Sequence, residues 1–170
     1  PHMLRMSAKH ADGVLVNAAH PRDFAWAAER IEEGLAERPD DRGDFDAAAF
    51  ASVSVAEDGD AAREAARPPV AFIAGGAPAP VLDRHDIDHE RAQRVGEKIE
   101  AGEFSAAFEA VTPSMVDAFC IAGTPATVAD RMGSVLDHVD SFVVGSPLGP
   151  DRAEAVSLAA GALDRAARGR

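Results

Sequence analysis

The 170-residue sequence predicts a helix-rich α/β fold, with about three parallel strands set between helices. Three observations predict it. Short unbroken apolar runs alternate with segments of helical period, the pattern of strands buried on both faces and joined by right-handed helical crossovers. Three strands are few for this length, and buried parallel strands need neighbours on each side, so the pattern is part of a larger sheet or barrel. The chain is long enough for a real core but short of the roughly 250 residues of a complete eight-fold barrel.

The first strand is Gly13-Val14-Leu15-Val16-Asn17, bounded by Asp12 before it and Pro21 after it. A helix follows, with Phe24, Ala27, Ala28, Ile31 and Leu35 on one face, ending near Arg38-Pro39. After a polar loop, residues 47–56 (AAAFASVSVA) form the second strand. A short helix over 61–67 stops at Pro68-Pro69, and 70–74 is open between strand and helix. Residues 84–101 read as one helix carrying Ile87, Val95 and Ile99. Thr112-Pro113 starts a short helix, and Thr124-Pro125 is an N-cap with proline at the first helical position. Residues 139–145 give the third strand and Ser146 to Pro150 a turn. Asp151 with Glu154 then forms a capping box for the last helix.

Acidic residues number 29 against 17 basic, a formal charge of −12. That excludes a nucleic-acid backbone or an anionic membrane as the main partner. No apolar run approaches the roughly 20 residues of a membrane span. With 37 Ala and only two Lys, the composition suits a cytoplasm of high salt, in which dense carboxylates are screened. The single cysteine, Cys120, forbids an internal disulfide and reads as a small core hydrophobe. Residues 1–3 (Pro1-His2-Met3) read as a cloning scar with no signal peptide after it, and 4–170 as a single domain.

Three segments carry a family resemblance. Ala11-Asp12-Gly13-Val14-Leu15-Val16-Asn17, Ala122-Gly123-Thr124-Pro125 with Val128, Ala129 and Arg131, and Phe142 to Asp151 (FVVGSPLGPD) stand in matching order and spacing. Together they resemble the bacterial-luciferase-like superfamily, most closely its F(420)-dependent methylenetetrahydromethanopterin reductases of haloarchaeal type. The resemblance implies the C-terminal half of a (β/α)8 TIM barrel. It implies hydride transfer between coenzyme F(420) and methylene-tetrahydromethanopterin or methylene-tetrahydrofolate, in one-carbon metabolism in the cytoplasm of a halophilic archaeon. FMN-dependent monooxygenation is the alternative. A third reading is a non-catalytic barrel fragment that dimerises or needs a complementing chain.

The expected cofactor-binding residues are Asn17, Gly145, Ser146, Leu148 and Gly149. Asn17 ends a strand, where its amide reaches a cofactor or pterin ring. Gly145 and Gly149 allow close backbone approach, Ser146 adds a hydroxyl, and the next helix opens there, which suits a phosphate. His20 either faces the same mouth or lies on the surface. Either Ser52 or Ser54 points toward the ligand, or both pack. His85 and His89 stand at i, i+4, as in zinc sites, but no third ligand or intervening Glu accompanies them, so no metal is expected. Met115, Met132 and Trp26 read as core. The catalytic residues are left unassigned.

Overall fold

A computed structural model describes residues 1–169. Four parallel strands, β1 (Gly13–Asn17), β2 (Asp46–Val55), β3 (Ile121–Gly123) and β4 (Ser141–Leu148), form one sheet. The three strands read from the sequence are all present, and the three-residue β3 is added. The helices are α1 (His2–His10), α2 (Pro21–Leu35), α3 (Gly59–Gly76), α4 (Ala79–Arg84), α5 (His89–Glu100), α6 (Phe104–Ala110), α7 (Pro113–Phe119), α8 (Pro125–Leu136) and α9 (Arg152–Arg168).

β2 is the hub. It pairs with β1 along its first half, with β3 at its last three residues, and with β4 along most of its length. Side chains alternate across a strand, so this register assigns the two faces. Ala49, Ala51, Val53 and Val55 of β2 lie with Val16, Ile121, Phe142 and Val144 under α8 and α9, together with Met132, Val135 and Ala159. The opposite face carries Leu15, Asn17, Phe50, Ser52 and Val143. It is far more open: Leu15 is 56% and Val143 44% exposed.

Between β2 and β3 the chain inserts five helices, α3 to α7, where one crossover helix would suffice. This excursion has a core of its own, in which Val70, Ala71, Val95, Met115 and Cys120 are fully buried. α3 and α5 meet backbone to backbone, because a Cβ on Gly75 would sit 2.7 Å from the Gly96 Cα.

Several boundaries differ from the sequence reading. A helix not read from the sequence, α1, opens the chain at His2 and packs on α2 around the buried Ala8, with Met3 left exposed. α3 runs unbroken through Pro68 and Pro69. Proline removes two helical hydrogen bonds there, but the burial of Ala66, Val70, Ala71 and Ala74 on one face outweighs the loss. The helix expected over 84–101 is two, separated at His85 to Asp88, where Asp86 adopts a φ of 54°. β4 extends through Ser146, Pro147 and Leu148, which the sequence placed in a turn, because Leu148 pairs with Ser54 past a register shift.

Candidate functional site

Four local signals shape the C-terminal rim of the sheet. His20 caps α2, its Nδ1 accepting from the Arg22 N–H at 3.1 Å, and Pro21 fills the first helical position. Thr124 caps α8 and Asp58 caps α3. Asp151 caps α9, accepting from the N–H groups of Ala153 and Glu154 at 2.9 and 3.1 Å. The caps on Thr124 and Asp151 are those the sequence predicts.

At the C-terminal ends of β1 and β2 lies a cleft of about 360 Å³. Asn17 and Ser52 line it from the open sheet face, and Ile73, Pro78 and Val81 from the helical excursion. Asp23, Trp26, Arg84 and Phe119 complete its wall. Ser54, two residues nearer the C-terminal end of β2, is fully buried and donates to the Ala62 carbonyl at 2.6 Å. The two serines therefore divide: Ser52 faces the cleft and Ser54 packs.

A charged hub closes the base of this wall. Asp23 Oδ1 accepts from Arg84 Nη1 at 2.6 Å, and Asp23 Oδ2 lies 2.8 Å from His85 Nε2. Arg84 also stands 4.5 Å over the Trp26 ring, which Arg30 approaches at 4.7 Å. Burial opposes the charge on Asp23, but the hydrogen bonds from His85 and Arg84 outweigh it and hold the carboxyl below its ordinary value. His85 is buried, edge-on to both His20 and Phe119.

His85 and His89 do not share a helix face, because the break between α4 and α5 separates them. His89 pairs with Asp83 at 2.7 Å while His85 turns to Asp23. Trp26, read as core, instead lines the cleft. Met115, Met132 and Cys120 are core as expected, and burial pushes the Cys120 thiol up to about 12. His20 is half-buried behind the cleft wall. Its pKa is pushed down to about 4, first by burial and then by the charges of Arg131 and His85.

That shift has a definite sign. Below pH 6.5 the unfolded chain takes up a proton that the folded His20 refuses until about pH 4. Stability should therefore be full above pH 6.5 and fall as pH drops toward 4. His20→Asn keeps a capping acceptor and should flatten this fall, as read from urea midpoints at pH 7.5, 5.5 and 4.5.

The remaining expected site residues sit at the far end of β4 and do not line the cleft. Gly145 is buried beside β2: a Cβ there would meet the Ala51 carbonyl at 2.8 Å and the Phe50 ring at 3.1 Å. Gly149, at φ 159°, leaves no room for a Cβ against the Val55 carbonyl. Both glycines thus serve close approach within the sheet. Leu148 adopts a φ of 76° and Ser146 is exposed. Asp151 occupies two of the N–H groups that open α9.

Asp23, Trp26 and Arg84 are not recognisable as one group from their positions in the chain. The only local hint is the helical spacing of Asp23, Trp26 and Arg30, which places them along one side of α2.

Comparison with known proteins gives this site a context. The family model described as luciferase-like monooxygenase matches residues 1–138. The 5,10-methylenetetrahydromethanopterin reductase of Methanopyrus kandleri is 45% identical over 159 residues, covering 93% of this chain and 46% of that protein. The protein of the same description from Archaeoglobus fulgidus is 42% identical over 163 residues, covering 93% and 49%. The solved structure of the coenzyme F(420)-dependent tetrahydromethanopterin reductase from Methanopyrus kandleri superposes with a TM-score of 0.86, covering 93% of this chain and 46% of that one. The chain spans about half the length of the curated relatives it matches. Its four parallel strands and helix-covered face match one part of that luciferase-like α/β barrel. The chain belongs to the luciferase-like monooxygenase family.

Proposed function

We propose that the chain supplies one part of the active site of a reductase that moves hydride between coenzyme F(420) and methylene-tetrahydromethanopterin. A single observation carries the reading. The 45% identity to a coenzyme F(420)-dependent reductase falls on a chain whose cleft lies at the C-terminal ends of parallel strands, where barrels of this class bind their ligands.

The cleft suits a fused-ring heterocycle. Its volume of about 360 Å³ falls in the range of roughly 300–1,000 Å³ common to ligand pockets, with apolar walls from Ile73, Pro78 and Val81. When bound, the deazaflavin supplies the hydride chemistry; this chain binds, orients and excludes water. The Asn17 amide both donates and accepts at a ring edge, and Ser52 adds a hydroxyl beside it. In this reading Gly145, Ser146, Leu148 and Gly149 form the cofactor's phosphate end, with the exposed Ser146 as its side-chain donor. Because Asp151 already caps α9, the backbone of the turn rather than the helix end would meet the phosphate.

The same reading includes a partner. The open face, with Leu15 and Val143 exposed beside Phe50, is the face a closed barrel fills with side chains. The span of about half the relatives' length supports a further polypeptide or second copy covering it. Among the described residues no helix is long and apolar enough to cross a membrane.

Titration with coenzyme F(420), followed by its fluorescence, tests the proposal. A saturable change is expected, with affinity about tenfold weaker in Asn17→Ala, the scale of one lost polar contact. A folded sample that leaves the fluorescence unchanged contradicts it. Retention of FMN in place of the deazaflavin transfers the chain to the monooxygenase reading.

A further inference from the structure

Arg84 has no role in the reading above, yet its placement is unusual for this chain. The protein carries a net charge of −12, and an anion approaching it meets repulsion almost everywhere. At the cleft the balance changes locally, because Arg30 and Arg84 lie over the one tryptophan and Arg22 stands against Arg84. Two of them are otherwise engaged. Arg30 donates to the Trp26 carbonyl at 3.0 Å and pairs with Glu29. Arg22 donates to the Arg84 carbonyl at 3.2 Å and lies 3.8 Å from Asp86. Arg84 alone of the three lines the cleft.

The guanidinium of Arg84 is held from two sides. Asp23 takes one of its five N–H groups, at Nη1, and Trp26 lies beneath its plane at 4.5 Å. Asp23 is itself fixed, buried and with both oxygens engaged, one on Arg84 and one on His85. Nε and Nη2 carry no hydrogen-bond partner among the described residues, and they present the fork that pairs with phosphate or carboxylate in two parallel bonds. A guanidinium positioned before the ligand arrives gives up little side-chain freedom on binding.

We propose that Arg84 is an anion-anchoring residue of the cleft, oriented by Asp23 and Trp26 to take a phosphate or carboxylate group of the bound ligand. The inference extends the function proposed above by naming the chemistry of one end of its ligand. Asp23 and Trp26 act through Arg84 and are positioning residues.

Trp26 is the chain's one tryptophan and touches Arg84, so its fluorescence reports on the site directly. The test titrates inorganic pyrophosphate and, separately, glutarate at constant ionic strength. The wild-type protein should show a saturable change with at least one of them, and the stronger responder tells phosphate from carboxylate. Arg84→Met should abolish the response. Arg84→Lys should keep the charge, lose the fork and weaken binding about tenfold. Asp23→Asn should weaken it with Arg84 still in place. A wild-type protein silent to both anions overturns the inference, and so does an Arg84→Met or Arg84→Lys protein that responds like the wild type. Coenzyme F(420) titrated in parallel separates the two proposals. Anion binding through Arg84 without F(420) binding removes the functional reading alone. Binding of F(420) without anion binding removes the role of Arg84 alone.

Discussion

Gly149→Ala is expected to destabilise the fold by about 3 kcal/mol, the sum of an overpacked contact and a strained backbone. The added Cβ would collide with the Val55 carbonyl and lie 2.9 Å from the Ala155 Cβ. Neither obstacle is the end of a flexible side chain. One is the backbone of the central strand and the other the first buried turn of α9. The φ of 159° adds strain that no movement of neighbours relieves. Urea unfolding should show a lower midpoint with an unchanged slope. Gly133→Ala, where nothing lies within 4 Å, is the control and should leave the midpoint unchanged or raise it.

Asp23→Ala should have a comparable effect for a different reason. The carboxylate joins α2 to the α4–α5 break across 61 residues of sequence, and its removal leaves Arg84 and His85 facing each other without an acceptor. Breaking such a pair when it is largely buried costs about 3 kcal/mol, and the partial exposure of Arg84 places this one nearer 2 kcal/mol. The loss also has a pH signature. The folded carboxyl titrates below its unfolded value, so its contribution is present above the ordinary aspartate range. It disappears as pH falls through the depressed folded value. Wild-type and Asp23→Asn stabilities should thus converge in strong acid and separate above about pH 4. Curves that stay parallel at every pH would show that the charge on Asp23 contributes nothing.

What could be read in the sequence is what local physics decides. The strands of Val14 to Val16 and of residues 47–55 are short apolar runs that announce a sheet, although only one of its two faces is covered by helices here and Leu15 stays exposed on the other. Thr124-Pro125 and Asp151 are capping signals complete within four residues. The continuity of α3 through Pro68-Pro69 was hidden because proline's local penalty is overruled by burial of Val70 and Ala71 against distant helices. α1 was hidden because its apolar side chains are few, and its contact with α2 decides its state. For the same reason only half of the candidate site was legible. Asn17 announces itself by ending a strand, whereas Asp23 and Arg84 are brought together by the geometry of an excursion whose helix breaks lie at unremarkable residues. The two glycines at 145 and 149 were visible as glycines. Their immediate task in the fold, letting β4 and its following turn lie tight against β2, depends on a register that no spacing reveals.

The proposed function requires a deazaflavin ring to sit in the cleft at the ends of β1 and β2. Hydrogen exchange of the chain with and without coenzyme F(420) tests that directly. Slowed exchange is predicted at residues 16–27 and 73–84, the segments that form the cleft walls, with no change along α9 beyond its first turn. Protection confined to other segments, or no protection at a concentration that saturates the fluorescence change, would contradict it.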